Sequence, residues 1–173
     1  MHLIWFIKKF INDKVQYIDE VVDKGLVRHL AVSNFTLERL QQAKNASNHP
    51  IVAGQYHLNL MYREPERKGI LEYCQTHDTM FIAWRPVQKG TLSSENQPLL
   101  ADLSKKYGKT PSQIAINWLI SQKNIVTLSK MGNPAHLDEN LHALGWNLEE
   151  TDIKKLSEEF PGQQDVSNAV PLI

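Results

Sequence analysis

Three features that would point to common protein classes are scarce or missing in this 173-residue sequence. The single cysteine, Cys74, excludes an internal disulfide framework and suggests a reducing compartment. Lysine and arginine together number 19, as do aspartate and glutamate, so the chain lacks the positive surplus of proteins that bind nucleic acid or membrane surfaces. The apolar run at residues 3–7 is too short to span a bilayer. We expect a cytoplasmic globular protein that binds neither nucleic acid nor membrane.

Apolar periodicity predicts strands and helices in alternation, without hairpin signals. The strands are predicted at residues 26–32, 51–56, 79–84 and 125–128. Helices are predicted at residues 16–24, from 36 to about 43, and at 66–77, 99–107, 112–122, 133–143 and 150–160, with an irregular tail after them. Residues 1–15 fit either a strand remnant or an amphipathic helix and stay undecided. The alternation indicates an α/β fold with a parallel sheet.

The usual dinucleotide fingerprint, Gly-x-Gly-x-x-Gly, is absent. Polar residues instead follow directly after each predicted strand, where parallel sheets and barrels bind ligands. A complete (β/α)8 barrel needs about 250 residues. The four predicted βα units therefore correspond to half of such a barrel.

Residues 25–35, GLVRHLAVSNF, resemble a signature of the aldo-keto reductases. The segments at 111–115, 133–134 and 139–140 resemble further blocks of that family in the correct order. The resemblance covers residues 16–173 and implies a partial (β/α)8 TIM barrel, the last four βα units plus a C-terminal helix and tail. Residues 1–15 form an undecided N-terminal remnant. The implied function is NADP(H)-dependent oxidation and reduction of aldehydes and ketones.

The resemblance assigns four residues to the nicotinamide end of the cofactor. Ser33, Asn34 and Gln55 match positions that hold the carboxamide, and Trp84 matches an aromatic that stacks on the nicotinamide ring. Each residue also has a purely structural interpretation. Ser33 and Asn34 fit a turn before a helix, Gln55 fits an inward polar residue satisfied by the backbone, and Trp84 fits simple core packing.

Five further residues match the phosphate and adenine end. Arg85 opens a loop that the family uses as a belt over the pyrophosphate; within it, Lys89 is read as a solvated lysine. Lys130 matches the lysine beside the 2′-phosphate, and His136 stands where the family commonly has an arginine. Glu139 and Asn140 match positions at the adenine amine. Because Met131 cannot donate a hydrogen bond and neutral histidine is a weak anion partner, we expect weak NADP(H) binding and an uncertain preference over NADH.

No catalytic residue is assigned. The family reduces carbonyls with a Tyr general acid helped by Lys, Asp and His, and these lie on earlier βα units that match nothing here. We therefore expect a truncated chain that is inactive alone on small carbonyl substrates, with open sheet edges that a homodimer closes. The alternatives are a non-catalytic remnant that retains weak nucleotide binding or only subunit association, and an unrelated β/α phosphate-binding enzyme. The histidines lack metal-ligand spacing, so no metal is expected, and Cys74 has core spacing.

Overall fold

The computed structural model describes residues 4–7, 15–93, 97–129 and 132–173. Its centre is a sheet of five parallel strands in the order β1-β2-β3-β4-β5. The strands are β1 (Ile4–Ile7), β2 (His29–Ser33), β3 (Ile51–His57), β4 (Met80–Trp84) and β5 (Ile125–Leu128). The expected partial barrel is confirmed, with one strand more than the four that periodicity predicted.

The additional strand, β1, lies in the N-terminal stretch that the sequence left undecided. Ile4 aligns with His29 and Ile7 with Val32, in parallel with β2. Four consecutive apolar residues suit a strand buried on both faces as well as they suit a helix face, and periodicity alone does not separate the two. Pairing with β2 makes this segment a strand.

Within the described residues, eight α-helices connect and cover the strands. They are α1 (Val15–Asp23), α2 (Leu37–Ala46), α3 (Glu64–Arg67), α4 (Ile70–Thr76), α5 (Pro98–Tyr107), α6 (Pro111–Ile120), α7 (Pro134–Leu141) and α8 (Glu150–Glu159). The single helix expected over residues 66–77 is in fact two, because Gly69 between them takes a left-handed φ of 72°. In the described part of the chain, every helix falls short of the length and apolarity that crossing a membrane requires.

The boundaries of the longer helices follow local chemistry. Thr110 caps α6 in a reciprocal capping box with Gln113, and Pro111 occupies the first turn, where its missing N–H costs nothing. Thr36 caps α2 through the amide of Arg39, at 3.3 Å. Gly108 ends α5 in the left-handed conformation. The stops and starts are thus encoded locally.

The two faces of the sheet differ in what covers them. One face carries large apolar side chains that pack against the helices. Leu30, Val32, Tyr56, Phe81 and Ile125 on this face form one core with helix residues such as Leu40, Ile70, Ile114 and Trp118. The opposite face, which corresponds to a barrel interior, has a separate small cluster of Ala31, Ala53 and Ile82.

The interior face and the β5 edge leave apolar side chains in solvent. Met80, Val126 and Leu128 are 47%, 40% and 49% exposed, and Leu141 and Leu144 beyond β5 are more than half exposed. Parallel sheets are normally covered on both faces. The sheet therefore presents a surface that further structure would complete.

Gly54 leaves room for a neighbouring aromatic ring. A Cβ at this position would lie 2.5 Å from Cε2 of Tyr56, whose ring is fully buried and stacked on Phe81 at 5.1 Å. Because neither ring can swing into solvent, a methyl group here must displace core packing. This explains why position 54, next to Gln55, is occupied by a residue without a side chain.

We expect Gly54→Ala to lower the free energy of unfolding by about 1–3 kcal/mol through overpacking, measured by urea denaturation. The cost should shrink when Tyr56→Val removes the ring, because the two changes then relieve the same contact. Additive costs in this double-mutant cycle would show that the clash is not the cause.

Candidate functional site

Four of the predicted site residues meet at the carboxyl ends of the strands. Ser33 aligns with Gln55 across β2 and β3, and Trp84 ends β4. Alternation along the strands points Ser33, Gln55 and Trp84 to the interior face. The structure therefore gathers Ser33, Asn34, Gln55 and Trp84 at one rim of the sheet.

Asn34 carries an unsatisfied acceptor at this rim. It is buried and has a left-handed φ of 56°, which asparagine tolerates better than most residues. Its backbone N–H donates to the carbonyl of Gln55 at 3.0 Å, and its side-chain Nδ2 donates to Ser33 Oγ at 3.2 Å. Its Oδ1 is buried without a hydrogen-bond partner among the described residues. Since such an atom costs free energy, the site is suited to a ligand that brings an N–H donor.

Trp84 lies in a stack of three rings. His57 stacks on it with centroids 4.4 Å apart and an interplanar angle of 12°, and Tyr62 covers the other face of His57 at 4.5 Å. The guanidinium of Arg85 lies over the indole, 5.2 Å from its centroid. The half-buried indole is thus held rigidly, with a cation as its second neighbour.

His57 also anchors the two segments that border the rim. Its Nδ1 lies 2.7 Å from Ser167 Oγ in the C-terminal tail (residues 161–173), and its Nε2 lies 3.0 Å from Gln88 Oε1. Gln88 belongs to the belt loop, which we define as residues 85–93. Asn59 Nδ2 donates to Gln88 Oε1 at 3.0 Å and to the carbonyl of Arg85 at 2.8 Å. His57 and Asn59 were not predicted as site residues, although both continue the interior-facing alternation that starts at Gln55.

The belt loop is strained. Arg85, Gln88 and Lys89 have positive φ values of 59°, 44° and 53°, and Gly90 follows at 93°. Left-handed conformations at residues other than glycine cost on the order of 1–3 kcal/mol each and persist where neighbouring contacts impose them. Here the contacts from Asn59 and His57 supply that constraint.

The remaining predicted residues border a cleft of about 610 Å³ between the belt loop and α7. Arg85 and Lys89 line one side, and His136, Glu139 and Asn140 line the other. Glu139 accepts from Thr110 Oγ1 at 2.8 Å, and its carbonyl accepts from Gln113 Nε2 at 2.9 Å. The cleft has basic groups from the loop and an anchored carboxylate from the helix. Lys130 and Met131 lie outside the described residues.

A further buried hydroxyl faces this region. Ser129 follows β5 and lines the cleft, and its Oγ has no hydrogen-bond partner in the described part of the chain. Its hydroxyl can donate to an anion, whereas the first turn of α7 contributes little, because Pro134 has no N–H and the Ala135 amide already donates to Asn133 Oδ1 at 3.0 Å. The cleft therefore fits a phosphorylated ligand.

The C-terminal tail, expected only to be irregular, crosses the rim. The N–H of Ile173 donates to the carbonyl of Asn34 at 2.7 Å, and the N–H of Thr36 donates to the carbonyl of Ile173 at 2.9 Å. Nearer α8, Gln164 pairs with Tyr62 in an isolated bridge. Such contacts depend on tertiary geometry, so the periodicity of the sequence does not predict them.

A cluster of tyrosine, lysine and aspartate occurs elsewhere and does not serve this rim. Tyr107 Oη donates to Asp152, and Lys106 Nζ lies 2.8 Å from the same carboxylate, all on the outer helices α5 and α8. Burial and the bond to Asp152 raise the pKa of Tyr107, which opposes a role as proton donor. We assign this cluster to helix packing.

Cys74 lies in the helix-covered core, away from the rim. Cys74 is buried in the core, and burial raises the pKa of its thiol to about 11, so it is unreactive. Across the ranges that the structure describes, no three side chains of His, Cys, Asp or Glu come together as metal ligands.

The pKa of His57 is lowered from its ordinary value of 6.5. Burial is the main cause and the charge of Arg85 adds to it, while the hydrogen bond to Gln88 and the carboxylate of Glu64 act in the opposite direction. The unfolded chain therefore takes up a proton near pH 6.5, and the folded chain only at lower pH.

Stability should be at its full value above pH 6.5 and fall as the pH drops through the interval below it, because the unfolded state binds the proton first. His57→Gln is expected to flatten this part of the pH dependence in urea denaturation. His77→Gln, on an exposed histidine that also stacks on a tyrosine, is the matched control. An equal acid slope in all three proteins would contradict the assignment to His57.

Fold and rim together define a partial parallel β/α barrel with polar side chains gathered at the carboxyl ends of its strands. Residues 2–159 match the model of the aldo/keto reductase family. The chain is 33% identical over 150 residues to the uncharacterized oxidoreductase C215.11c of Schizosaccharomyces pombe, an alignment that covers 86% of this chain and 47% of that protein. It is 28% identical over 162 residues to a probable NAD(P)H-dependent D-xylose reductase of Emericella nidulans, covering 87% and 50%.

Solved structures show the same architecture. The thermostable aldo-keto reductase Tm1743 aligns with a TM-score of 0.84 at 34% identity, covering 89% of this chain and 58% of that one. The aldo-keto reductase from Klebsiella pneumoniae in complex with NADPH aligns with a TM-score of 0.83 at 20% identity, which shows the shared fold.

The chain belongs to the aldo/keto reductase family. It spans about half the length of the curated relatives it matches.

Proposed function

We propose that this chain forms the coenzyme-binding part of an NADP(H)-linked oxidoreductase of aldehydes and ketones. The observation that carries the proposal is the buried, unpartnered Oδ1 of Asn34 at the rim, where a carboxamide N–H would satisfy it. The relatives whose names refer to NAD(P)H, and the structure solved with NADPH, support the choice of cofactor. Such a cofactor supplies hydride transfer at its nicotinamide ring.

The chain's own groups would position the nicotinamide. Ser33 Oγ already accepts from Asn34 Nδ2, so its hydroxyl hydrogen remains available for a carboxamide oxygen. Gln55 lies beside Ser33 on the interior face. Trp84 offers an indole face once the Arg85 side chain moves off the ring, and Arg85 then lies at the mouth of the cleft that it lines. The movement of Arg85 would thus link two events: the nicotinamide stacks on Trp84, and the guanidinium of Arg85 pairs with a phosphate in the cleft.

The cleft would take the phosphate and adenine portion. Arg85 and Lys89 would provide positive charge from the belt loop. Lys130, which follows Ser129 in the sequence, stays a prediction for this end of the site. His136 faces the same space with its side chain 66% exposed, 3.8 Å from the carboxylate of Glu139. A neutral imidazole next to a carboxylate holds a 2′-phosphate poorly, which favours weak binding.

Carbonyl reduction also needs a proton donor at the rim. In the described ranges, a lysine ammonium contacts a tyrosine ring at two places, and both lie on outer helices. The pairs are Lys44 with Tyr73 and Lys106 with Tyr107. We infer that the donor comes from additional βα units that adjoin the open sheet. An eight-stranded ring needs three strands beyond the five that the structure describes, whereas the described parts of two copies would bring ten. The five-strand sheet therefore favours a three-strand complement over closure by a homodimer.

The nucleotide site is tested by titrating the chain with NADPH and following quenching of tryptophan emission, with weak binding expected. Asn34→Gly keeps the left-handed backbone and removes the side-chain amide, so it should weaken binding by about threefold to tenfold, the value of one buried hydrogen bond. Trp84→Leu should weaken binding and reduce the emission change.

A variant of the outer cluster, Tyr107→Phe, is the control and should bind as the parent does. Binding that Asn34→Gly and Trp84→Leu leave unchanged would refute this site, and absence of any binding would favour the alternative of subunit association only. NADPH oxidation by this chain with a simple aldehyde would contradict the inferred need for further βα units.

A substitution at the phosphate end of the site is expected to increase the affinity for NADPH. His136→Arg restores a permanent positive charge with several donors next to the cleft, so we expect NADPH to bind on the order of tenfold more tightly. NADH lacks the 2′-phosphate and should be unaffected, which makes it the internal control. An equal gain for both nucleotides would indicate a nonspecific charge effect, and salt should weaken the NADPH gain selectively.

A further inference from the structure

His57 connects two segments that are far apart in sequence. Its side chain is nearly inaccessible, with the residue 3% exposed between the rings of Tyr62 and Trp84. One ring nitrogen meets Ser167 of the tail and the other meets Gln88 of the belt loop. A buried imidazole with a partner on each nitrogen has a fixed orientation and a fixed tautomer.

The surrounding bonds determine which nitrogen carries the proton. Ser167 Oγ accepts from the amides of Ala169 at 3.1 Å and Val170 at 3.3 Å, so its own hydrogen is left to donate to His57 Nδ1. The proton of neutral His57 is then on Nε2 and donates to Gln88 Oε1. Asn59 Nδ2 lies 3.3 Å from the same nitrogen, but its two hydrogens are directed to Gln88 Oε1 and to the carbonyl of Arg85. Both bonds require this one tautomer, so each of them favours the other.

Each segment that His57 anchors also covers part of the nucleotide site. The belt loop brings Arg85 over Trp84 and into the cleft. The tail, held further by Glu64 Oε2 on the amide of Ser167 at 2.9 Å, ends with Ile173 bonded to the carbonyl of Asn34. One segment therefore borders the stacking indole and the other borders the carboxamide acceptor.

We propose that His57 is a positioning residue that couples the belt loop to the C-terminal tail, so that the two covers of the site open and close together. The coupling is a property of the protein alone, while its consequence for nucleotide binding rests on the proposed function. Stacking of a nicotinamide on Trp84 would require Arg85 to leave the ring, and the belt loop, which begins at Arg85, would move with it. Through His57, that shift loosens the tail over Asn34 as well.

Reciprocal variants test the coupling by amide hydrogen exchange without nucleotide. Ser167→Ala touches only the tail, and we expect faster exchange at the belt amides of Gln88, Gly90 and Leu92, which donate to Arg85 and Val87 carbonyls. Gln88→Leu touches only the belt loop, and exchange should rise at Ser167, Ala169 and Val170. Coupling between sites is reciprocal, so both effects should be similar in size, on the order of fivefold.

His57→Phe keeps the ring stack and removes both hydrogen bonds, so it should free both segments at once. His77→Phe alters a histidine stacked on Tyr73 in α4 and is the matched control. The proposal is overturned if Ser167→Ala affects only tail amides or if His57→Phe leaves belt exchange unchanged. Ser167 is partly exposed, so Ser167→Ala is a mild substitution. The exchange measurement on this variant therefore decides the question even where Gln88→Leu or His57→Phe fails to fold.

A second measurement separates this proposal from the proposed function. If the parent chain binds NADPH, stopped-flow dissociation from Ser167→Ala should be faster by about threefold to tenfold, although Ser167 is outside the cleft. Unchanged dissociation together with unchanged belt exchange overturns the coupling. If the parent binds no nucleotide, the proposed function fails, and the hydrogen-exchange arms still decide the coupling.

Discussion

Parallel strand pairing is the constraint on which this structure depends. Because the five described strands run in one direction, the loops that follow them open at the same rim, and the helical connections between strands return the chain to the opposite end. The pleat then selects alternate residues for the interior face. Residues that are 22 and 29 positions apart in sequence, Ser33, Gln55 and Trp84, become neighbours for this reason alone. Binding chemistry therefore needs only short polar side chains at strand ends, and no glycine-rich phosphate loop.

Buried polar contacts maintain the conformation of the loops at this rim. The belt loop has three consecutive residues with positive φ, of which only Gly90 adopts it without cost. Asn59 and His57 offset that cost because their hydrogen bonds are buried, where leaving a donor or acceptor unpaired is expensive. Asn34 is the opposite case, with a strained backbone and an acceptor that no described residue satisfies. The belt loop, whose strained backbone is held by satisfied hydrogen bonds, fits a positioning role. Asn34, whose strained backbone carries an unsatisfied acceptor, fits ligand binding.

Local chemistry made much of the fold predictable from the sequence. Apolar runs gave four strands, and caps such as Thr110 gave helix starts close to those observed. The break at Gly69 was missed because the surrounding apolar spacing continues across it. Ile4–Ile7 was ambiguous because a short, wholly apolar segment has no period to read.

The site was predictable where it follows strand ends and, at the cleft, where α7 carries the matching residues His136, Glu139 and Asn140. Ser33, Asn34, Gln55 and Trp84 were found in this way, and their roles remain proposals. His57 carried a readable signal, since a histidine two residues after an inward glutamine shares its face. Ser167 and Ile173 carried none, because an irregular tail acquires its contacts only when the rest of the fold exists.

The open sheet bears on how coenzyme binding relates to catalysis. Val126 and Leu128 at the β5 edge are 40% and 49% exposed, and a groove of about 390 Å³ beside them is lined by Ile116, Ile120, Leu141 and Leu144. Covering side chains of this kind contributes roughly 25 cal/mol per Å² of apolar area, so a complementary β/α segment would dock on this edge favourably. The groups of the nucleotide cleft come from β5, α7 and the belt loop, so that end of the site is formed without such a segment. Under the proposed function, coenzyme binding and proton delivery would thus lie on separable parts of the barrel, and the complement would bring a proton donor to a rim that is already shaped.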